Sequence, residues 1–80
     1  MINIKMIGLN EYSAYVKVYD PQYAEIHFNL SAEKGGLWVI RENDKERRML
    51  HFPNDNGMIP LHGYATMDEA LRAAYRYLVK

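Results

Sequence analysis

His27, His51 and His62 are the three side chains able to act as a base near neutral pH or as a nitrogen ligand to a metal, and no cysteine joins them. No His-x-x-x-His pair sets two of them on one helix face, so separate surface histidines are expected. Asn54-Asp55-Asn56-Gly57 has the composition of a calcium loop. With Gly57 at the loop's sixth position, Phe52 and Gly63 fall at the first and twelfth, where carboxylates belong, so a polar turn is expected instead. Ser13 and Ser31 are the only serines, and neither sits in a Gly-x-Ser-x-Gly elbow. Gly35-Gly36 is followed by no Gly-Lys-Ser/Thr and is not a phosphate loop. The expectation is therefore no catalytic residue, no metal ligand, no cofactor and no enzymatic activity.

Hydropathy periods define the elements. Ile2, Ile4 and Met6 alternate with Asn3 and Lys5, the pattern of a half-buried strand. In 12–19, Tyr12, Ala14, Val16 and Val18 share one face; in 23–30, Ala24, Ile26, Phe28 and Leu30 do. A three-residue loop at Asp20-Pro21-Gln22 sets Tyr19 opposite Tyr23, Lys17 opposite Glu25, Tyr15 opposite His27 and Ser13 opposite Asn29. This register leaves one face wholly apolar, and a one-residue slip would destroy it. Residues 31–36 read as a loop with one helical turn. Strands 37–42 and 47–52 flank a four-residue connection, Asn43-Asp44-Lys45-Glu46. That connection puts Glu42 opposite Arg47, brings Arg41 to Arg48, turns Leu37, Val39, Leu50 and Phe52 to the core, and turns Trp38, Ile40, Met49 and His51 outward. Residues 53–65 form a long loop, expected to be tacked down by Met58, Ile59 and Leu61.

The helix signal is the clearest. Thr66-Met67-Asp68-Glu69 is a capping box. Met67, Ala70, Leu71, Ala74, Tyr77 and Leu78 make the apolar stripe. Asp68 stands one turn before Arg72, and Lys80 suits the negative C-terminal end. The expected architecture is a single compact α+β domain over 1–80. Its two layers are an antiparallel β-meander of four to five strands and one C-terminal α-helix packed on one face. A small barrel closed by the helix is the alternative.

Composition narrows the function classes. The 80 residues carry ten basic and ten acidic side chains, 49% apolar residues and seven tyrosines. Zero net charge disfavours a strongly basic nucleic-acid binder. No apolar run is long enough for a membrane helix, the first residues lack the pattern of a secretory signal, and a cysteine-free chain fits the cytoplasm. The expected outer face gathers Tyr15, Tyr19, Trp38, Ile40 and Met49, with Arg41, Arg47 and Arg48 beside it, which are residue types enriched at interface centres. The reading is a small non-catalytic module that binds a larger protein and occludes or modulates it. A homodimer through the same face is a variant. A single-stranded nucleic-acid platform using the aromatics is the alternative. In size and style, though by no motif, the chain resembles compact proteins of phages and mobile elements. These include anti-CRISPR and other anti-defence inhibitors, a likeness that implies inhibition by occlusion and transfers no site residues.

Overall fold

The structure, a computed structural model, describes residues 2–19 and 23–78. It is an α+β fold: strands β1 (Ile2–Gly8), β2 (Glu11–Tyr19), β3 (Tyr23–Ala32), β4 (Trp38–Glu42) and β5 (Met49–Leu50) form one antiparallel sheet in sequence order, and helix α1 (Met67–Leu78) packs on one face. A 3₁₀ turn, Lys34–Gly36, joins β3 to β4. No helix among the described residues is long and apolar enough to cross a membrane.

The β2–β3 pairing is the predicted one, from Tyr19 opposite Tyr23 to Ser13 opposite Asn29. The predicted turn at Asp20-Pro21-Gln22, the side chain of Tyr19 and the position of Lys80 lie outside the described residues. The alternation has its expected result: Ala14, Val16, Phe28 and Leu30 are buried against α1. Ala70, Ala73 and Ala74 are the helix's buried positions, and these short side chains let it approach the sheet closely. The Glu69 amide donates to Thr66 Oγ1 (3.1 Å), and Glu69 Oε1 accepts from the amide of Ala65 (3.3 Å), a capping box displaced by one residue on its return bond.

The second hairpin differs from expectation by one residue. Ile40 pairs with Leu50 and Arg41 with Met49, and the Glu42 amide donates to the Arg48 carbonyl. The connection therefore spans five residues, 43–47. Asp44 Oδ1 accepts from the amides of Glu46 and Arg47, and Arg47 closes the loop in the left-handed region at φ 50°. In strands of period two, one extra loop residue turns one strand over against the other; here β4 is reversed, while Met49 and Leu50 keep their expected faces. Trp38 and Ile40, expected on the outer face, thus lie on the helix side. Ile40 is fully buried, and the Trp38 ring sits 6.0 Å from that of Tyr12. Val39, expected in the helix-side core, is buried on the opposite face beside Gly63, and Arg41 and Arg48 do not face each other.

After β5 the chain leaves the sheet and returns at Tyr64. That residue exchanges both backbone hydrogen bonds with Trp38 (2.8 and 2.7 Å) and so stands where a longer β5 would have continued. Its ring is 2% exposed, within the core. The hydroxyl accepts from the Phe52 amide (3.1 Å) and donates to the Phe52 carbonyl (2.7 Å), closing the neck of the loop. Gly63 is obligatory there: its φ is 131°, and a Cβ would stand 2.9 Å from the Trp38 carbonyl oxygen and from Leu37 Cβ.

Ile40→Ala is expected to lower unfolding free energy by about 2–5 kcal/mol, the range for truncating a buried aliphatic side chain. Tyr64→Phe is expected to cost about 1–3 kcal/mol by stranding the Phe52 amide and carbonyl. Urea denaturation followed by circular dichroism measures both. An Ile40→Ala protein as stable as the parent would contradict the observed register.

Candidate functional site

The residues first expected to form one outer surface are divided by the sheet. Tyr15 is on the outer face, half-buried, its ring stacked on His27 at 5.2 Å; His27 Nε2 in turn meets Glu25 Oε1 at 3.0 Å. Met49 is on the same face beside Arg41. Trp38 and Ile40 are on the other; the backbone of Tyr19 pairs with Tyr23. What remains of the outer face is a polar seam, Ser13–Asn29–Arg41, running across three strands. Asn29 is buried, and its Oδ1 has no partner among the described residues.

The arginines are committed within the molecule. Arg41 forms a fork on Glu33, Nε to Oε2 and Nη2 to Oε1, both 2.7 Å, and its Nη1 donates to the Arg47 carbonyl. This bidentate bond chiefly, with Ser31 Oγ adding a third donor, holds the Glu33 carboxyl down at about 2 against a burial that pushes it up. Arg47 approaches Glu11 at 3.6 Å, and Arg48 lies between Glu42 and Glu46. The positive charge of this hairpin is thus answered within the molecule, by Glu33 and Glu11 from outside the hairpin and by Glu42 and Glu46 within it.

The 53–63 loop presents the features that the outer face lacks. Its base is built from hydrogen bonds. Asn54 Oδ1 accepts from the amides of Asn56 and Met58, and the Asn54 amide donates to the Met58 carbonyl (2.7 Å). Asp55 is gripped from the helix by Arg72, through Nε and Nη2, and by Arg76 Nη2 at 3.1 Å. Arg72 thus makes its close ion pair with Asp55, and Asp68, one turn before it, acts on it only through space. These two guanidiniums, Arg72 first, hold the Asp55 carboxyl at about 2. The Phe52 ring stacks on Tyr77 at 5.7 Å, and the Tyr64 hydroxyl closes the neck.

From this clamped frame, Met58, Ile59 and Leu61 project at 68%, 51% and 70% exposure. The expectation that they pin the loop to the core is therefore reversed: polar contacts pin the loop, and its apolar side chains face solvent. Leu61 and His62 also wall a shallow cleft of about 450 Å³ with Glu33, Lys34, Val39 and Met49. The run Met58-Ile59-Pro60-Leu61 was visible in the sequence. What was missing was the clamp, since Asp55 is 17 and 21 positions from the arginines that hold it.

His51 and His62 are exposed, and no three metal-ligating side chains converge among the described residues. The chain matches no protein-family model, no curated protein and no solved structure.

The two ion-paired carboxyls set a pH dependence. Both titrate lower in the folded protein than their ordinary values of 3.8 for Asp55 and 4.5 for Glu33. The unfolded chain therefore takes up protons first, so their stabilisation is complete above about pH 5 and drains away as pH falls towards 2. Melting temperatures measured from pH 6 to pH 2 should fall on the acid side, and Asp55→Asn and Glu33→Gln should each flatten that fall. Variant curves parallel to the parent's would show that the pairs contribute nothing.

Proposed function

We propose that this chain is a small non-catalytic protein-binding module that acts by covering part of a larger protein partner, and that its contact surface is the 53–63 loop rather than the outer sheet face. The observation that carries the reading is the exposed Met58-Ile59-Pro60-Leu61 tip on a loop clamped by Asp55, Asn54 and Tyr64. Loop tips are ordinarily polar, and three large apolar side chains held in water are costly unless something covers them. The clamp ties down the base of the tip before binding, which reduces the ordering entropy lost on docking. Met49 and Leu61 extend the apolar surface into the cleft, and Lys34 and His62 at its rim suit an acidic group of the partner. Occlusion by an exposed apolar tip agrees with the likeness in size and style to phage and mobile-element inhibitors.

The nucleic-acid reading draws less support. Its aromatic platform needed Trp38, which packs on the core, and residues 53–63 contain neither lysine nor arginine. Tagged protein is to be used for capture from host lysate, with and without nuclease, beside a Met58→Ser/Leu61→Ser variant. The expected result is a stoichiometric protein partner that survives nuclease and binds the variant at least about tenfold more weakly, as loss of an apolar anchor implies. The variant should keep the parent's melting temperature, because both side chains are mostly exposed. Capture that vanishes with nuclease, or that the variant retains in full, would overturn the reading.

A further inference from the structure

A second apolar surface, independent of the loop, lies on β1. We propose that β1 pairs antiparallel with β1 of a second copy of this chain, giving a two-fold dimer with one continuous sheet.

The two edges of the sheet are unlike. At the β5 edge the strand is two residues long, and Tyr64 takes the β4 positions beyond it. At the other edge β1 is seven residues long, and nothing among the described residues pairs with its outer side. Natural sheets shorten, charge or cover such an edge, because its unpaired amides and carbonyls template another strand. Here Lys5 is the strand's single charge, on the face away from the helix, and the register shifts only at its end, between Met6 and Gly8; the helix-side row is apolar. Ile4 and Met6, opposite Ala14 and Tyr12 on the helix side, are 41% and 62% exposed. They are uncovered because α1 lies over β3 and β4, two strands away. The helix flank that carries Leu71, Tyr75 and Leu78 is opposite the one where Arg76 and Tyr77 meet the loop segment, so it looks towards this gap.

The occupant is argued from the strand itself. With a two-fold axis at Ile4, Ile4 meets Ile4 of the second copy, Ile2 meets Met6, and Asn3 meets Lys5. The helix side becomes an unbroken apolar row between the two helices, and no lysine faces a lysine. Zero net charge removes any overall repulsion between copies. A single adhesive edge joined about a two-fold axis closes on itself as a dimer, where two such edges would propagate a fibre. The dimer also places the two 53–63 loops at opposite ends of the sheet, which offers two-point attachment to a partner that repeats.

The test is light scattering on the full chain across the micromolar range, with expected mass approaching twice 9.4 kDa. Met6→Glu should be monomeric with unchanged circular dichroism. The chain has no cysteine, so Ile4→Cys introduces its only thiol. Directly opposite residues of an antiparallel pair have Cα atoms about 4.5–5.5 Å apart, within disulfide reach, so the facing thiols should oxidise to a disulfide-linked dimer, while Lys17→Cys, exposed on β2, should not. A monomer at every concentration, or a dimer that Met6→Glu leaves intact, overturns the proposal. Cross-linking at Lys17→Cys as efficient as at Ile4→Cys overturns the placement of the axis. None of these readouts depends on the loop partner.

Discussion

Tyr64 is the residue through which the separate parts of this small protein are joined. Its backbone completes β4 where β5 stops, its ring fills the core under α1, and its hydroxyl holds the Phe52 amide and carbonyl. Each of these would be replaceable alone. Together they allow the chain to leave the sheet at Phe52, make a long excursion and return in register, two residues before the Thr66 cap starts the helix. The burial that makes Tyr64 a core residue also pushes its hydroxyl's acidity down, raising the pKa, so the phenol remains protonated and able to donate.

The economy of the fold explains where its open surfaces lie. Five strands spaced about 4.8 Å apart make a sheet roughly 19 Å wide, while one helix is about 10 Å across. A single helix cannot cover such a sheet. It sits over β3 and β4, where the buried alanines let it come closest, and the far strand β1 is left without a lid. The β5 side is protected differently, by a loop bonded to the helix through Asp55, Arg72 and Arg76. Among the described residues no further element closes the remaining edge, and the apolar side chains of β1 and of the loop tip stay exposed.

Polar groups divide between scaffold and surface in the same way. Glu33 and Arg41 link the turn after β3 to β4, and Asp55 with its arginines links loop to helix. Both pairs are charge-assisted and bidentate, which gives them geometric definition as well as energy. Their work is to fix segments that carry no regular structure. The exposed Arg48 and Arg47 contacts, longer and more solvated, add little of that kind.

How much of this was legible in the sequence follows the range of the interactions. The β2–β3 register was readable because Lys17–Glu25, Tyr15–His27 and the apolar face all agree on one short turn. The helix was readable because its cap and stripe are local. The class, an antiparallel meander with one helix, followed from those local patterns. The second hairpin was not decided by its hydropathy pattern. Either face of 37–42 is apolar enough to be buried, and the choice fell to the Asp44 turn, the left-handed Arg47 and the Glu33 fork on Arg41, which together put Trp38 and Ile40 inside. The loop clamp and the bare edge of β1 depend on contacts between distant positions and on the width of one helix against five strands. Periodicity along a chain encodes which side of an element is apolar; only packing decides which apolar sides find cover and which are left to bind.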